Sequence, residues 1–159
     1  MKLYFFRHAE AEPASGNDFE RRPTERGVAR TETAARVLAA LGVMPDPIFS
    51  SPRVRARQTA EILARMLGVG VEIDEGLDFD FSLEVVERLV EGLDEEGEAM
   101  FVGHEPSLSA VIGDLTGGEV VMKKGGLARV DVVAYAPPLQ GELVWLIAPA
   151  VFDVLGKEL

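Results

Sequence analysis

The 159-residue chain has two histidines, His8 and His104, and each lies just beyond a short apolar run. Arg7 precedes His8 directly. Short apolar runs that end on polar residues, such as Leu3–Phe6 and Ala99–Val102, are typical of buried strands. An imidazole can attack or exchange a proton near neutral pH, and a guanidinium offers a permanently charged fork of donors to phosphate or carboxylate. These residues therefore predict anion chemistry at the ends of two strands.

Arg55 is the third candidate, in a segment where Ser51 and Pro52 predict the start of a helix, with a capping hydroxyl and a proline at the first helical position. At 100° per residue, Arg55 shares one stripe with Thr59 and Ile62 and faces inward. A buried guanidinium needs an anion. A structural carboxylate and an anionic ligand are both compatible with this position, and the neighbouring histidines favour the ligand.

Two further arginines of this helix, Arg53 and Arg57, fall on its far side. Arg57 is placed to pair with Glu61 four residues later. We interpret both arginines as a solvated helix face rather than as part of a site.

The order of elements predicts how these residues meet. Strands at 3–6, 48–49, 69–73 and 99–102 alternate with helices that begin near positions 24, 51, 82 and 107. Residues 127–135 and 142–148 form a hairpin-like pair, and a last helix covers about 150–159. This pattern predicts a single domain over 1–159 of class α/β: a three-layer α/β/α sandwich whose sheet is mainly parallel, with an antiparallel element near the end.

In a parallel sheet, the three junctions after residues 6, 50 and 102 open on the same edge, where α/β proteins bind ligands. That edge gathers Arg7, His8, Arg55 and His104, together with a helix N-terminus. Two histidines and two arginines suit a dianionic phosphoryl group.

A metal site is the alternative, with Glu10 or Glu105 joining the histidines. It would need three or four protein ligands, and the guanidinium groups nearby disfavour a bound cation. We therefore predict no metal and no cofactor.

Composition limits the partners and the compartment. The net charge of −11 argues against nucleic acid and anionic membranes. It is uneven, since residues 1–70 hold 11 basic against 8 acidic residues and residues 71–159 hold 5 against 19. We interpret the acidic second half as a solubilising face.

There is no cysteine, no apolar stretch near the ~20 residues of a membrane span and no signal-peptide pattern, so we expect a cytoplasmic protein.

Four blocks, in order, closely resemble those of the histidine phosphatase (phosphoglycerate mutase-like) superfamily. Residues 7–9 resemble its Arg-His-Gly opening, 21–27 its Arg-Pro-Leu-Thr-x-x-Gly loop and 51–59 its Ser-Pro-x-x-Arg-x-x-Gln-Thr block. Residues 102–106 resemble the Val-Gly-His-x-Pro block of the small SixA-type phosphohistidine phosphatases. The short length also fits the SixA branch.

The resemblance implies a phosphoglycerate mutase-like fold and a covalent mechanism. His8 would be the nucleophile and form a phosphohistidine intermediate, while Arg7, Arg55 and His104 would hold the phosphoryl oxygens. Chemistry adds one requirement: His8 must be neutral on its attacking nitrogen, so its other nitrogen should donate to a fixed acceptor such as a backbone carbonyl.

Two blocks depart from the family pattern. Ala9 replaces the usual glycine, which would cause strain if that position required a positive φ. The proline of the second block is displaced, so the family arginine aligns with Arg21 while Arg22 is the one adjacent to Pro23. Either arginine is a candidate phosphate or substrate contact, with surface charge as the competing interpretation.

The branches of the family that act on alcohol phosphates use a carboxylic acid to protonate the leaving oxygen. This sequence shows no clear counterpart of that acid. Asp78, Asp80 and Glu105 are weak candidates, and we interpret the first two as solvated loop residues. A phosphoramidate needs less acid assistance, so the predicted partner is a phosphorylated protein carrying phosphohistidine. A small phosphate ester is the first alternative substrate. A phosphate-binding or interaction module without catalysis is the second alternative function.

Overall fold

A computed structural model describes residues 1–14 and 16–159. These described residues form six strands and five helices, with short 3₁₀ turns at Asp18–Glu20 and Glu75–Leu77. The strands are β1 (Lys2–Arg7), β2 (Ile48–Ser50), β3 (Val71–Ile73), β4 (Glu98–Gly103), β5 (Leu127–Ala134) and β6 (Gln140–Ile147). The helices are α1 (Glu25–Ala40), α2 (Val54–Leu67), α3 (Leu83–Val90), α4 (Ser107–Thr116) and α5 (Pro149–Gly156).

The strands form one sheet in the order β3-β2-β4-β1-β5-β6. Strands β3, β2, β4 and β1 are parallel, whereas β5 and β6 are antiparallel to their neighbours. This arrangement confirms the predicted α/β class with a mainly parallel sheet and an antiparallel element at its end. The position of β1 between β4 and β5 explains its continuous apolar run, because a strand at the centre of a covered sheet is buried on both faces.

Two apolar cores lie on the two faces of the sheet. Alternate residues of β1 divide between them: Leu3 and Phe5 face one core, and Tyr4 and Phe6 face the other. Helices α3 and α4 contribute to the first core, and α1, α2 and α5 to the second. The layers are therefore helix, sheet and helix, as predicted.

The hydrogen bonds at the helix N-termini show which of the predicted N-cap residues act as caps. Thr24 accepts a hydrogen bond from the Gly27 amide and Ser82 accepts one from the Val85 amide, which confirms both as caps. The predicted start of α2 at Ser51-Pro52 is wrong: α2 begins at Val54, and the residue in the capping position is Arg53, whose side chain makes no cap hydrogen bond. The Ser51 hydroxyl is instead buried beneath the helix, against His104.

The predicted loop over 9–23 contains the 3₁₀ turn and an isolated bridge between Ala11 and Pro23. Its position 15 lies outside the described residues. Among the residues that are described, no non-glycine residue has a positive φ, so Ala9 carries no left-handed strain. No helix in this described part of the chain is long and apolar enough to span a bilayer.

Strand register brings the three junctions together. Arg7 is level with Gly103 in the β1–β4 pair, and Ser50 is level with Val102 in the β2–β4 pair. Three parallel strands thus end within one residue of each other. The residues that follow them occupy one edge of the sheet.

Candidate active site

His8 is held as a neutral imidazole with a defined tautomer. Its Nδ1 lies 2.8 Å from the carbonyl oxygen of Ala9, which can only accept, so Nδ1–H is the donor and Nε2 keeps its lone pair. The ring is 6% exposed. Burial lowers the pKa of His8 to about 3, with smaller contributions from the charges of His104, Arg55 and Arg7. The backbone carbonyl expected from the chemistry is therefore present, and a nucleophilic nitrogen is available.

Thr59 ties the His8 loop to α2. Its hydroxyl accepts a hydrogen bond from the Ala9 amide at 3.0 Å and donates one to the Arg55 carbonyl at 2.7 Å. Thr59 is fully buried. One side chain thus fixes the backbone that follows His8 against the first turn of the helix that carries Arg55.

His104 faces His8 across the site, with ring centroids 5.2 Å apart. It is 2% exposed. Burial, followed by the charge of Arg55, lowers the pKa of His104 to about 4. Both histidines are therefore neutral near pH 7, and the proton of His104 can lie on either nitrogen.

The hydroxyl of Ser51 determines which nitrogen of His104 carries that proton. Ser51 Oγ accepts a hydrogen bond from the Arg53 amide and lies 2.8 Å from His104 Nε2. Ser51 is fully buried, so its own proton needs an acceptor. Nε2 fills this need, which means that Ser51 donates and His104 carries its proton on Nδ1. Neutral His104 then presents a donor to the site.

The Ser51→Ala variant is expected to redistribute this proton. Without the hydroxyl, Nε2 loses its donor and the Nε2–H tautomer becomes populated, so kcat/KM should fall roughly tenfold, the scale of one lost hydrogen bond. Nitrogen-15 NMR of His104 at pH 7 measures the tautomer directly, and Ser51→Thr should restore the wild-type signal.

A matched control for that variant is Ser107→Ala. Ser107 is also buried and its hydroxyl donates to the His104 carbonyl at 2.9 Å, so it contacts the backbone rather than the ring. Its removal should leave the tautomer unchanged. A wild-type spectrum with the proton on Nε2 would refute the assignment.

Arg55 points inward, as predicted, and is 4% exposed. Its guanidinium donates to Asp18 twice: Nη1 to the carbonyl at 3.0 Å and Nη2 to carboxylate Oδ2 at 3.3 Å. Of the two anions considered from the sequence, the structural carboxylate is therefore present, on the 3₁₀ turn. Asp18 also accepts from Arg21 and Arg53. The hydrogen bond from Arg21, followed by the charge of Arg55, lowers the pKa of the Asp18 carboxyl.

Arg7 closes the opposite side of the site. Its Nη1 donates to the carbonyl oxygen of Met122 at 2.8 Å, which fixes the guanidinium against the segment that precedes β5. Burial lowers the pKa of Arg7 and the charge of Glu105 opposes that shift. Arg7 keeps its remaining donors for the site.

Three buried donors at the site have no hydrogen-bond partner among the described residues. They are Nε of Arg7, Nε of Arg55 and Nδ1 of His104. Buried donors without partners are rare in folded proteins and need an explanation. Three such donors near one neutral imidazole could bind the oxygens of an oxyanion, and we refer to Arg7, Arg55 and His104 as the cradle.

Arg53 lies at the rim of the site, although helical periodicity predicted that it would face solvent. Arg53 is only 17% exposed: its Nε donates to Asp78 at 2.6 Å, its Nη1 donates to Asp18 at 2.9 Å, and it lies over the Phe79 ring. The predictions that Arg53 and Asp78 are simply solvated are therefore wrong. Arg57 does occupy the outer face and pairs with Glu61, as predicted.

Arg21 lies beside this cluster rather than inside the cradle. Its Nε donates to the Glu12 carbonyl at 2.7 Å and its Nη1 to Asp18 at 3.1 Å. It therefore connects to Arg55 through a shared carboxylate. Arg22, the alternative candidate, is exposed.

Two of the three candidate acids have their carboxylates occupied by other groups. Glu105 accepts from both the amide and the hydroxyl of Ser109, and Asp78 accepts from Arg53 and from the Phe79 amide. Asp80 is exposed. Within residues 1–14 and 16–159, no group of three or more His, Cys, Asp or Glu side chains is arranged to hold a metal ion.

Comparison with known proteins identifies the family. The sequence model of the histidine phosphatase superfamily (branch 1) matches residues 3–83, a span that contains the His8 and Arg55 blocks. The chain belongs to the histidine phosphatase superfamily. A protein of Picosynechococcus, described as uncharacterized, is 37% identical over 136 residues, which are 80% of this chain and 82% of that protein.

Several solved structures of other proteins share the fold of this chain. The protein histidine phosphatase SixA, in complex with tungstate, superposes with a TM-score of 0.84 at 22% identity, covering 94% of this chain and 98% of that one. A putative phosphohistidine phosphatase SixA from Agrobacterium tumefaciens gives 0.78 at 28% identity, covering 93% and 97%. A mycobacterial glucosyl-3-phosphoglycerate phosphatase gives 0.77 at 17% identity, covering 92% and 98%. The fold therefore serves both protein and small-molecule phosphatases.

Proposed function

We propose that this protein is a metal-independent phosphatase that removes the phosphoryl group from phosphohistidine on an acceptor protein, through a covalent phospho-His8 intermediate. The observation that carries the proposal is a neutral His8 whose Nε2 is unprotonated, surrounded by unpartnered donors of Arg7, Arg55 and His104. Membership of the histidine phosphatase superfamily supports the reaction class.

In the first step, His8 Nε2 attacks phosphorus while the bond from phosphorus to the substrate imidazole nitrogen breaks. The substrate ring leaves as neutral imidazole: its other nitrogen has already taken a proton from solvent, and the electron pair of the broken bond stays on the departing nitrogen. The transition state spreads charge over three equatorial oxygens. Fixed donors aimed at those oxygens lower the barrier without rearranging during the reaction. Arg7, Arg55 and Nδ1–H of His104 supply such donors.

In the second step, water attacks phosphorus of phospho-His8. The bond to Nε2 breaks and inorganic phosphate leaves, while the electron pair of that bond returns to the imidazole. The hydrogen bond from Nδ1–H to the Ala9 carbonyl keeps the ring in one orientation through both steps. The nucleophile is thus regenerated in its starting tautomer.

The choice of a phosphoramidate over an ester rests on the candidate acids. An alkoxide leaving group needs a proton from a positioned acid, whereas a protonated imidazole leaves unaided. Glu105 is held by Ser109, and Asp78 is held by Arg53. These contacts occupy both carboxylates and turn them toward other partners, which favours a substrate that needs no acid.

A small phosphate ester remains the second candidate substrate. The same fold is present in the mycobacterial glucosyl-3-phosphoglycerate phosphatase. The permanently charged cradle around His8 recognises the phosphoryl group rather than what it is attached to, so it is compatible with both substrate classes.

The deciding experiment compares turnover of a phosphohistidine peptide with that of phenyl phosphate and a sugar phosphate, with EDTA present throughout. We expect the peptide to give the highest kcat/KM, by about 100-fold, the scale of one missing general acid. A higher rate on the sugar phosphate would establish the small-molecule alternative. Loss of activity with EDTA would contradict metal independence, and phosphate binding without turnover of any substrate would contradict catalysis.

A further inference from the structure

Phe79 is an exposed aromatic ring at the mouth of the site. It is 49% exposed, yet its ring centroid lies 5.1 Å from that of His104, in an edge-to-face arrangement. The guanidinium carbon of Arg53 lies 3.9 Å from the Phe79 centroid, and that of Arg55 lies 5.9 Å away. An apolar ring thus stands next to one of the proposed phosphoryl-binding groups while half of its surface faces solvent.

The ring is held in this position from several sides. Asp78 accepts from the Phe79 amide at 2.9 Å and from Arg53 Nε at 2.6 Å, so the loop and the guanidinium share one carboxylate. A second carboxylate, Asp18, holds the other end of the same guanidinium at 2.9 Å. The guanidinium is therefore fixed against the Phe79 ring, while about half of the side chain faces solvent.

Phe79 helps to cover His104, which is 2% exposed with this ring in place and contacts Ser51 through Nε2. Covering His104 uses only part of the ring, and about half of Phe79 still faces solvent. The fixed, half-exposed ring has the properties of a surface that stacks on a flat group.

We infer that Phe79, backed by Arg53, is the leaving-group subsite and selects phosphoryl donors whose leaving group is planar and aromatic. This inference rests on the proposed phosphatase function and refines its substrate class. The shared chemistry is a flat ring attached to phosphorus through nitrogen or oxygen, as in the imidazole of phosphohistidine or the phenol of an aryl phosphate. The ring stacks on the exposed part of Phe79 while the phosphoryl group sits among Arg7, Arg55 and His104.

Binding of non-hydrolysable probes tests this inference without requiring turnover. Calorimetry would give dissociation constants of phenylphosphonate and ethylphosphonate for the wild type and for Phe79→Ala. We expect the variant to weaken phenylphosphonate about fivefold, the scale of one aromatic contact, and ethylphosphonate less than twofold. Equal weakening of both probes, or of neither, would overturn the subsite.

Two further variants separate stacking from general apolar contact. Phe79→Leu keeps apolar bulk but has no ring face, so it should also lose the preference for phenylphosphonate; retention of that preference would refute recognition of planarity. Leu41→Ala removes a side chain of similar exposure, 48%, at the far end of α1. It should change neither constant.

Turnover then distinguishes the two sources of a planar leaving group. Phosphoimidazole, phenyl phosphate and ethyl phosphate would be compared in wild type and Phe79→Ala. Losses confined to the first two support the subsite, and the faster of these two in the wild type identifies nitrogen or oxygen as the bridging atom. A wild type that hydrolyses neither these three compounds nor the phosphohistidine peptide refutes the proposed phosphatase function, while the phosphonate result still decides the subsite.

Discussion

The His8→Gln variant is expected to lose turnover on every substrate by at least about 10⁴-fold, the scale found when a covalent nucleophile is removed. Glutamine retains a polar side chain of similar length, but its amide nitrogen has no lone pair free to attack phosphorus. Of the two histidines, both within the described residues, His8 has its Nδ1–H fixed on a carbonyl, so that Nε2 is left to react. The loss should appear in kcat rather than in KM, since Arg7 and Arg55 still bind the phosphoryl group.

His104→Gln is the matched variant, since it changes the other histidine of the pair in the same way. It removes a donor to the transition state and leaves the nucleophile, so its rate should fall by about 10² to 10³. Rapid quench with a labelled substrate should trap an acid-labile, alkali-stable phospho-enzyme in the wild type and in His104→Gln but not in His8→Gln. A trapped intermediate in His8→Gln would overturn the assignment of the nucleophile.

The pH dependence of stability tests the burial of neutral His8 independently of turnover. Burial lowers the pKa of His8 to about 3, against about 6.5 in an unfolded chain. Between those values the unfolded chain binds a proton that the native protein does not, so the free energy of unfolding falls as pH falls. Between pH 6 and 5 the wild type should lose up to about 1.4 kcal/mol per unit more than His8→Gln in urea unfolding.

The central part of this site could be predicted because its elements are local. Every residue of the run Leu3–Phe6 is apolar, and Arg7 ends the run. Such a continuous run is typical of a strand that is covered on both faces. Parallel strands have their carboxyl ends at one edge, so the residues after β1, β2 and β4 had to be neighbours. The structure places His8 and His104 at the predicted edge, with ring centroids 5.2 Å apart.

The rim was missed because its contacts are distant in sequence and its backbone is irregular. Arg53 precedes α2 with an extended backbone, φ −64° and ψ 137°, so a wheel of 100° per residue does not describe where its side chain points. It reaches Asp78 and Asp18 across 25 and 35 residues. Nothing in the composition of either loop marks those two aspartates, and the aromatic Phe79 between Asp78 and Asp80 was the one signal in that loop.

The role of Ser51 was misassigned for a related reason. Ser-Pro is a strong local signal for a helix start, and propensity alone does not report that His104 lies on the other side of the hydroxyl. The Ser51 hydroxyl contacts both the Arg53 amide and His104 Nε2. Helix α2 begins at Val54, two residues after Pro52, the predicted first helical position.

The second large effect that we expect is the loss of activity when Arg55 is replaced. Arg55→Ala should reduce kcat/KM by about 10³-fold, in the range found when a guanidinium that stabilises phosphoryl transfer is removed. Arg55→Lys should recover only part of this loss, because an ammonium keeps the charge but not the planar fork. The fork matters here, since Nη1 and Nη2 are committed to Asp18 and Nε is the buried donor left for the substrate. Lysine has no equivalent of that third nitrogen.

Arg57→Ala is the control that isolates this effect from helix stability and from net charge. Arg57 lies two residues further along α2, carries the same charge and pairs with Glu61 on the outer face at 2.8 Å, an exposed pair worth little to stability. Its kcat/KM should stay within about twofold of the wild type. The dissociation constant of inorganic phosphate, measured by calorimetry, should rise in Arg55→Ala and not in Arg57→Ala. Indistinguishable rates for the two variants would mean that the inward guanidinium serves Asp18 and the fold, and that the phosphoryl group is held by Arg7 and His104 alone.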